Sequence, residues 1–298
     1  MIKPQSLRKG AKIGVISTAR KISKDEIGYA QTLLKSWGFI PVLGDALFEE
    51  CWQFAGTDDQ RLKDLQFMLD NKDIDAIICA RGGYGTSRII DGVDLTAFMK
   101  QPKWIAGYSD VTVLHSHIQS KCGVQTLHAS MPINFSNNTK EALDSLKIAL
   151  TGNPLNYKII ANELNKKGNA EGMLTGGNLS ILYSLVGTSS DIDTENKILF
   201  IEDVDEYLYH IDRMMVSLKR SGKLSNLRGL IVGSMNKMHD NDIPFGNTAN
   251  EIIWQTVKEF DYPVCFGFPA GHIDDNRTLI FGNKIILKVD KEVEVWFT

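Results

Sequence analysis

Across the first half of the chain, short apolar runs alternate with stretches whose apolar positions recur every three or four residues, which predicts strands alternating with amphipathic helices. Residues 12–17 (KIGVIS) predict a strand. Ser23, with Glu26 three positions on, then makes a capping box for a helix whose stripe is Ile27, Ala30, Leu33, Leu34 and Trp37, stopping at Gly38. Residues 39–43 predict the next strand, and Thr57 with Gln60 opens a second capped helix carrying Leu62, Leu65, Met68 and Leu69. The runs at 74–80 (IDAIICA) and 104–107 (WIAG) predict two further strands, each passing directly into a turn rich in Gly or Ser. Alternation of this kind yields a parallel sheet covered by helices.

A helix at about 139–150 stops at Gly152, and the polar stretch that follows holds few large apolar residues beyond one short strand-like run. Residues 153–170 are therefore expected to link an N-terminal domain, 1–152, to a C-terminal one, 171–298. The second half resumes with a turn at Gly176-Gly177, a strand at 197–201 (KILFI), a long helix near 206–221 and the strand GLIVGSM. A helix around 248–260 and the strand VCFGF come next. The tail, TLIFGNKIILKVDKEVEVWF, predicts strands joined by the two-residue turns Gly282-Asn283 and Asp290-Lys291. The expected fold class is α/β: a parallel-sheet N-terminal domain, Rossmann- or flavodoxin-like, and a C-terminal α/β domain closing on antiparallel hairpins. No internal repeat points to a solenoid or array.

Composition narrows the functions more than the fold. At 298 residues the chain suits two domains of roughly 150 residues, and 43% hydrophobic with 23% charged residues is a globular balance. A net charge of −3 leaves no basic surplus to neutralise a phosphate backbone, so nucleic acid is not an expected partner. There is no apolar stretch of signal-peptide or membrane-spanning length, so no membrane partner is expected and the location expected is the cytoplasm. Cys51, Cys79, Cys122 and Cys265 are scattered without metal-ligand spacing, which predicts reduced thiols and neither a metal site nor a disulfide framework.

In open α/β sheets, sites form beyond the carboxyl ends of the strands. The strands here deliver Arg81-Gly82-Gly83-Tyr84-Gly85, then Tyr108-Ser109-Asp110, then Glu202-Asp203, and finally Gly271-His272. In WIAGYSDVTVLHSHI, the step from strand through Gly107 to Ser109 and straight into a helix has the shape of a nucleophile elbow. An ordinary N-cap is the plainer alternative, but Thr112 stands where a capping-box acid would. The glycines at 82, 83 and 85 suit an oxyanion hole of backbone N–H donors, a tight turn or a phosphate cradle.

A nucleophilic serine needs a base and the base an orienting partner. Of the six histidines, His115 and His117 lie on the helix after Ser109, His128 is near a strand, His210 is mid-helix and His239 is in a polar loop. Only His272, in FPAGHIDDN, follows an apolar strand into a Gly-flanked loop. Glu202 ends the run ILFIE, where a carboxylate is costly unless its charge is used. It serves either an imidazole or, with Asp203, Asp205 and Glu206, the dipole of the next helix.

With Ser109, Glu202 and His272 in that order, the chain resembles the LD-carboxypeptidase family of serine peptidases, which includes the microcin-immunity peptidases. The matching segments are ARGGYGTSRII, AGYSDVTVLH, TGGNLSIL, FIEDVDEYLYHIDRMM and GFPAGHIDDN. The resemblance implies a Ser-Glu-His triad: Ser109 as nucleophile, His272 as general base and then acid, and Glu202 orienting the imidazole. It implies an oxyanion hole from Gly82, Gly83 and the backbone N–H of Asp110, with the site between two domains and no metal or organic cofactor. The implied reaction releases a terminal D-alanine from an L,D-peptide bond of muropeptides recycled in the cytoplasm, so the expected partner is a small peptide. Family members often carry a Pro-Ser-rich turn after the first strand, where this chain has Ser17-Thr18-Ala19-Arg20. A homodimer is left open by the resemblance, and Arg81 and Arg277 stand near the expected site without an assigned role.

Three other readings compete. A microcin-immunity type peptidase would use the same triad on a peptide-nucleotide antibiotic. A nucleotide-binding phosphotransferase would use the Gly82-Gly83-Tyr84-Gly85-Thr86 turn, which is close to the Gly-Gly-Asp-Gly-Thr turn of NAD kinases but has Tyr84 where those enzymes place an acid. A catalytically silent binding module would keep only the cleft.

Overall fold

The computed structural model describes all residues from Met1 to Thr298. Its N-terminal half is built from β1 (Lys12–Ile16), α1 (Lys24–Ser36), β2 (Ile40–Leu43), α2 (Asp58–Asp70), β3 (Ala76–Cys79), the short α3 (Thr96–Lys100), β4 (Trp104–Gly107), α4 (Thr112–Cys122), β5 (Thr126–His128) and α5 (Lys140–Thr151). Both expected capping boxes close, Ser23 with Glu26 on α1 and Thr57 with Gln60 on α2. Each satisfies helix-end N–H groups that water would otherwise have to reach. β3 and β4 are buried along their whole length, so they read as continuous apolar runs without alternation. Strands β2, β1, β3, β4 and β5 pair in parallel in that order.

The second half contains β6 (Asn156–Ile160), β7 (Gly168–Asn178), α6 (Leu179–Leu185), β8 (Ile198–Val204), α7 (Leu208–Arg220), β9 (Gly229–Asn236), α8 (Ala249–Val257), β10 (Val264–Cys265), β11 (Leu279–Phe281), β12 (Lys284–Val289) and β13 (Glu292–Phe297). Seven of these strands form one sheet, ordered β10, β9, β8, β7, β12, β13, β6. Strands β7 to β10 are parallel, while β12, β13 and β6 are antiparallel. The chain is thus an α/β protein with a mostly parallel first sheet and a mixed second sheet that ends in a hairpin.

The short strand-like run expected within 153–170 is β6, which pairs with β13 along the edge of the second sheet, and two other details depart from the pattern read in sequence. Gly176-Gly177 lies inside the long strand β7 and is not a turn. Gly282-Asn283 does not close a hairpin, because β11 pairs with β5 in the first sheet while β12 pairs with β13 and β7 in the second. β11 thereby stitches the two sheets together. One buried cluster runs across the junction, joining Ala76, Trp104 and Leu127 to Phe200, Ile231, Phe281 and Ile285. The carboxyl ends of β4 and β8 are consequently fixed against one another by a shared core rather than by a hinge.

Candidate active site

β4 ends at Gly107, and two residues later Ser109 has φ +63, a left-handed conformation that a residue with a Cβ adopts at a cost of about 1–2 kcal/mol. One 3₁₀ turn, Ser109 to Val111, then leads into α4. This strand-to-helix step has the shape of the elbow that holds a serine above the sheet in α/β hydrolases. The Ser109 hydroxyl is half-buried and bonded to no other group of the chain.

The loop after β3 closes over the elbow. A Cβ on Gly82 would lie 3.0 Å from Ser109 Cβ and 3.2 Å from its Oγ, so the main chain at Gly82 approaches the Ser109 side chain more closely than a residue with a Cβ comfortably could. The N–H groups of Gly82 and Gly83 donate to no backbone or side-chain acceptor. Beyond them the turn is committed elsewhere. Thr86 N–H donates to Asp110 Oδ2 at 2.9 Å, and the Thr86 hydroxyl pairs with that of Thr18 at 2.8 Å. Thr86 is thereby tied to Asp110 and Thr18, while the N–H groups of the turn's first two glycines stay unpaired. Burial, the largest influence, pushes the carboxyl pKa of Asp110 up.

Glu202 leaves β8 fully buried, and His272 Nδ1 meets its Oε2 at 2.7 Å. Room for this contact comes from Gly271, where a Cβ would sit 2.7 Å from Glu202 Oε2 and 2.5 Å from Ser234 Oγ. Burial is the largest influence on the His272 pKa and lowers it, but the charge and hydrogen bond of Glu202, with Asp203 adding to them, outweigh it and leave the pKa raised. With Nδ1 engaged, Nε2 is the nitrogen free for proton transfer. The imidazole lies over the Tyr108 ring, with centroids 4.8 Å apart, and Tyr108 is the residue immediately before Ser109. Glu202 and His272, far apart in sequence, are thus in contact, and the Tyr108 ring brings His272 beside the residue that precedes Ser109.

Two contributors were not read from the sequence. Asn178 caps α6 through its Oδ1, while its Nδ2 donates to Glu202 Oε1 at 3.3 Å and to Asp203 Oδ1 at 2.9 Å. The local signal was present, since an Asn between strand and helix is a typical N-cap, but what its amide nitrogen reaches depends on β8 lying alongside. Asp203 also accepts from the N–H groups of Ser180 and Val204, yet desolvation, reinforced by Glu202, pushes its pKa up to about 7. Tyr108 is the other; its hydroxyl donates to Asn134 Oδ1 at 3.1 Å and its ring carries the imidazole.

Four of the remaining histidines are engaged elsewhere, and the fifth, His128, is buried with neither ring nitrogen bonded. His115 bonds the Gly107 carbonyl and burial holds its pKa down to about 4; His117 bonds Ser190, His210 pairs with Glu206, and His239 pairs with Asp205. His128 is buried among Tyr108, Phe200 and Phe281. Of the two arginines noted near the site, Arg277 is held by Asp275 and Arg81 donates to the Lys21 carbonyl. No three His, Cys, Asp or Glu side chains group as metal ligands would, and no helix is long and apolar enough to cross a membrane.

Comparison with known proteins identifies the family and the fold. A model of the LD-carboxypeptidase N-terminal domain matches residues 13–129, and one of the LD-carboxypeptidase C-terminal domain matches residues 171–287. A probable murein peptide carboxypeptidase of Bacillus subtilis is 34% identical, with 98% of this chain and 93% of that protein aligned. The crystal structure of muramoyltetrapeptide carboxypeptidase from Oxalobacter formigenes is similar at a TM-score of 0.88 and 26% identity, over 96% of this chain and 98% of that one. The microcin C7 self immunity protein MccF shares the fold, with a TM-score of 0.89 at 22% identity over 99% of this chain and 98% of its own.

Proposed function

This chain belongs to the LD-carboxypeptidase family and is a serine-type carboxypeptidase, and from that premise we propose that it releases the terminal D-alanine of murein tetrapeptides, in the cytoplasm, through Ser109, His272 and Glu202. The observation that carries the reading is a His272 hydrogen-bonded to a buried Glu202 and packed on Tyr108, the residue before a left-handed Ser109.

In the first half-reaction, Ser109 Oγ attacks the carbonyl carbon of the L,D-bond as His272 Nε2 takes the hydroxyl proton. The Glu202 carboxylate holds the imidazole by Nδ1 and stabilises the imidazolium. Negative charge gathers on the former carbonyl oxygen, where the N–H groups of Gly82, Gly83 and Asp110 serve as donors. Such preorganised donors are worth about 3–4 kcal/mol each in related hydrolases. His272 then protonates the leaving nitrogen, the C–N bond breaks, and D-alanine departs from an acyl-Ser109 ester. In the second half, water gives its proton to His272 and attacks the ester, and the tripeptide leaves as Ser109 regains its hydrogen.

The test is incubation with L-Ala-γ-D-Glu-diaminopimelyl-D-Ala, following D-alanine, beside a Ser109→Ala control. Release by the wild type alone is expected. A folded wild type that released no D-alanine but cleaved a peptidyl nucleotide would move the substrate to the antibiotic class, and release by the Ser109→Ala protein would remove Ser109 from its role.

A further inference from the structure

A carboxypeptidase must tell a chain terminus from an internal bond, and the feature unique to the terminus is a free carboxylate one residue beyond the bond cleaved. Arg277 and Arg81 do not offer one a free guanidinium, since Asp275 and the Lys21 carbonyl occupy them. Arg61 and Arg88 are likewise committed to Asp58. Arg20, in the loop after β1, is different. It is exposed, and its side chain makes no ion pair and no hydrogen bond.

Its position is nevertheless built. Ser17 Oγ donates to the Arg20 carbonyl at 2.5 Å, and Lys21 N–H donates to Gln53 O at 3.0 Å, so the main chain on both sides is tied down. The side chain lies across Gly83. A Cβ there would come 2.6 Å from Arg20 Cγ and Cδ and 2.9 Å from Nε, and Gly83 also has φ +117. Gly82 therefore touches the nucleophile and Gly83, the next residue, touches the arginine. Neighbouring Cα atoms are about 3.8 Å apart across a trans peptide. Ser109 and Arg20 therefore contact consecutive residues of one loop, as a scissile bond and the carboxylate one residue further on belong to consecutive units of a peptide.

We infer that Arg20 is the substrate-binding residue for the terminal carboxylate of the peptide, gripping the departing amino acid through its guanidinium. This rests on the carboxypeptidase reading above. A planar guanidinium can donate two parallel N–H bonds to a carboxylate, which a lysine ammonium does not reproduce. The carboxyl-terminal amide of the same peptide keeps the shape but loses the charge.

The experiment compares the tetrapeptide acid with its carboxyl-terminal amide in the wild type, Arg20→Gln, Arg20→Lys and Lys237→Gln. Lys237 is the control, an exposed cation whose charge also reaches His272. The wild type should favour the acid by about 10- to 100-fold in kcat/KM, the range expected for a charge-assisted contact. Arg20→Gln should bring that ratio close to one, mainly by raising KM for the acid, with an unchanged melting temperature. Arg20→Lys should recover only part of it, and Lys237→Gln should keep it. An acid-to-amide ratio that survives Arg20→Gln, a loss equal on both substrates, or a wild type indifferent to the amide overturns the role of Arg20 while leaving the carboxypeptidase reading standing. A wild type that neither turns over nor, by calorimetry, binds the tetrapeptide overturns both.

Discussion

Ser109 and Glu202 both stand at the carboxyl end of a buried parallel strand, β4 and β8, yet the chain treats the two ends in opposite ways. At the end of β4 the backbone is strained and polar groups are left unpaired. Ser109 has φ +63, its hydroxyl has no partner, and the N–H groups of Gly82 and Gly83 beside it have none either. At the end of β8 the polar groups are satisfied: Glu202 is bonded to His272 and Asn178, and Asp203 to Asn178, Ser180 and Val204. The first end is held by main-chain geometry and keeps its donors for something that arrives. The second is held by side-chain hydrogen bonds already made. Removing a side chain should therefore relieve the first end and damage the second.

Ser109→Gly gives the largest effect on rate and the clearest contrast in stability. Turnover should fall at least about 10⁴-fold, as when other serine hydrolases lose their nucleophile. The glycine accepts φ +63 without strain, recovering about 1–2 kcal/mol against about 0.5–1 lost to its extra freedom when unfolded. The variant should melt at or above the wild type; a lower melting temperature would show that the elbow is not strained. Glu202→Ala should cut turnover about 10³- to 10⁴-fold and, unlike Ser109→Gly, lose about 1–3 kcal/mol, because the His272 Nδ1 is stranded in a buried site. Equal melting temperatures for the two variants would erase the contrast.

Gly82→Ala tests the same contrast more gently. The backbone at Gly82 is not left-handed, so a methyl group is tolerated by the fold, but it would press on Ser109 Cβ at 3.0 Å and crowd the donors beside it. Turnover should fall about 10- to 100-fold, the usual penalty for misplacement by a fraction of an ångström to an ångström, with little change in melting temperature. A fall in stability as large as that of Glu202→Ala would mean that the loop is part of the frame rather than part of the site.

How much of this was legible follows the same division. Local rules were enough for Ser23 with Glu26, Thr57 with Gln60 and the strand Trp104 to Gly107, because each is decided by residues within a turn of one another. They also supplied the elbow at Ser109, since Gly107 and the abrupt passage into α4 are contiguous. What could not be read were partners set by register between distant strands. That Asn178 reaches two carboxylates depends on β7 lying parallel to β8 with Asn178 opposite Glu202. The path of β11 is a further case: Leu279–Phe281 and Lys284–Val289 flank a sound hairpin turn, and only the competing edge of β5 decides that the first run leaves for the other sheet. Arg61 shows the limit within a helix. Its charge gives no sign of burial in the sequence, yet it is buried, with Thr18, Gly56 and Asp58 accepting its N–H groups and Phe54 under its guanidinium.

The smallest effect, and the one that isolates the β8 end, is the dependence of stability on pH. His272 has its folded pKa raised above the unfolded value of about 6.5. Its contribution is fully present below about pH 6.5 and is lost as pH rises through the folded pKa. Asp203, pushed up to about 7 from an unfolded value of about 3.9, acts in the same direction. Between those two values the native state holds a proton that the unfolded chain has released, so the cost of burying the carboxylate grows as pH rises and is complete above 7. Both groups make the protein less stable from pH 5 to 8, and Asp203→Asn removes the larger share of the slope below pH 7. Thermal melts of the two proteins at constant ionic strength should therefore converge towards pH 5 and diverge towards pH 8, with the variant flatter. The rate moves the opposite way, since attack needs a neutral His272: kcat/KM should climb through a pKa above 6.5, and parallel melting curves for wild type and Asp203→Asn would show that the second acid at the end of β8 is solvated rather than buried with its partner.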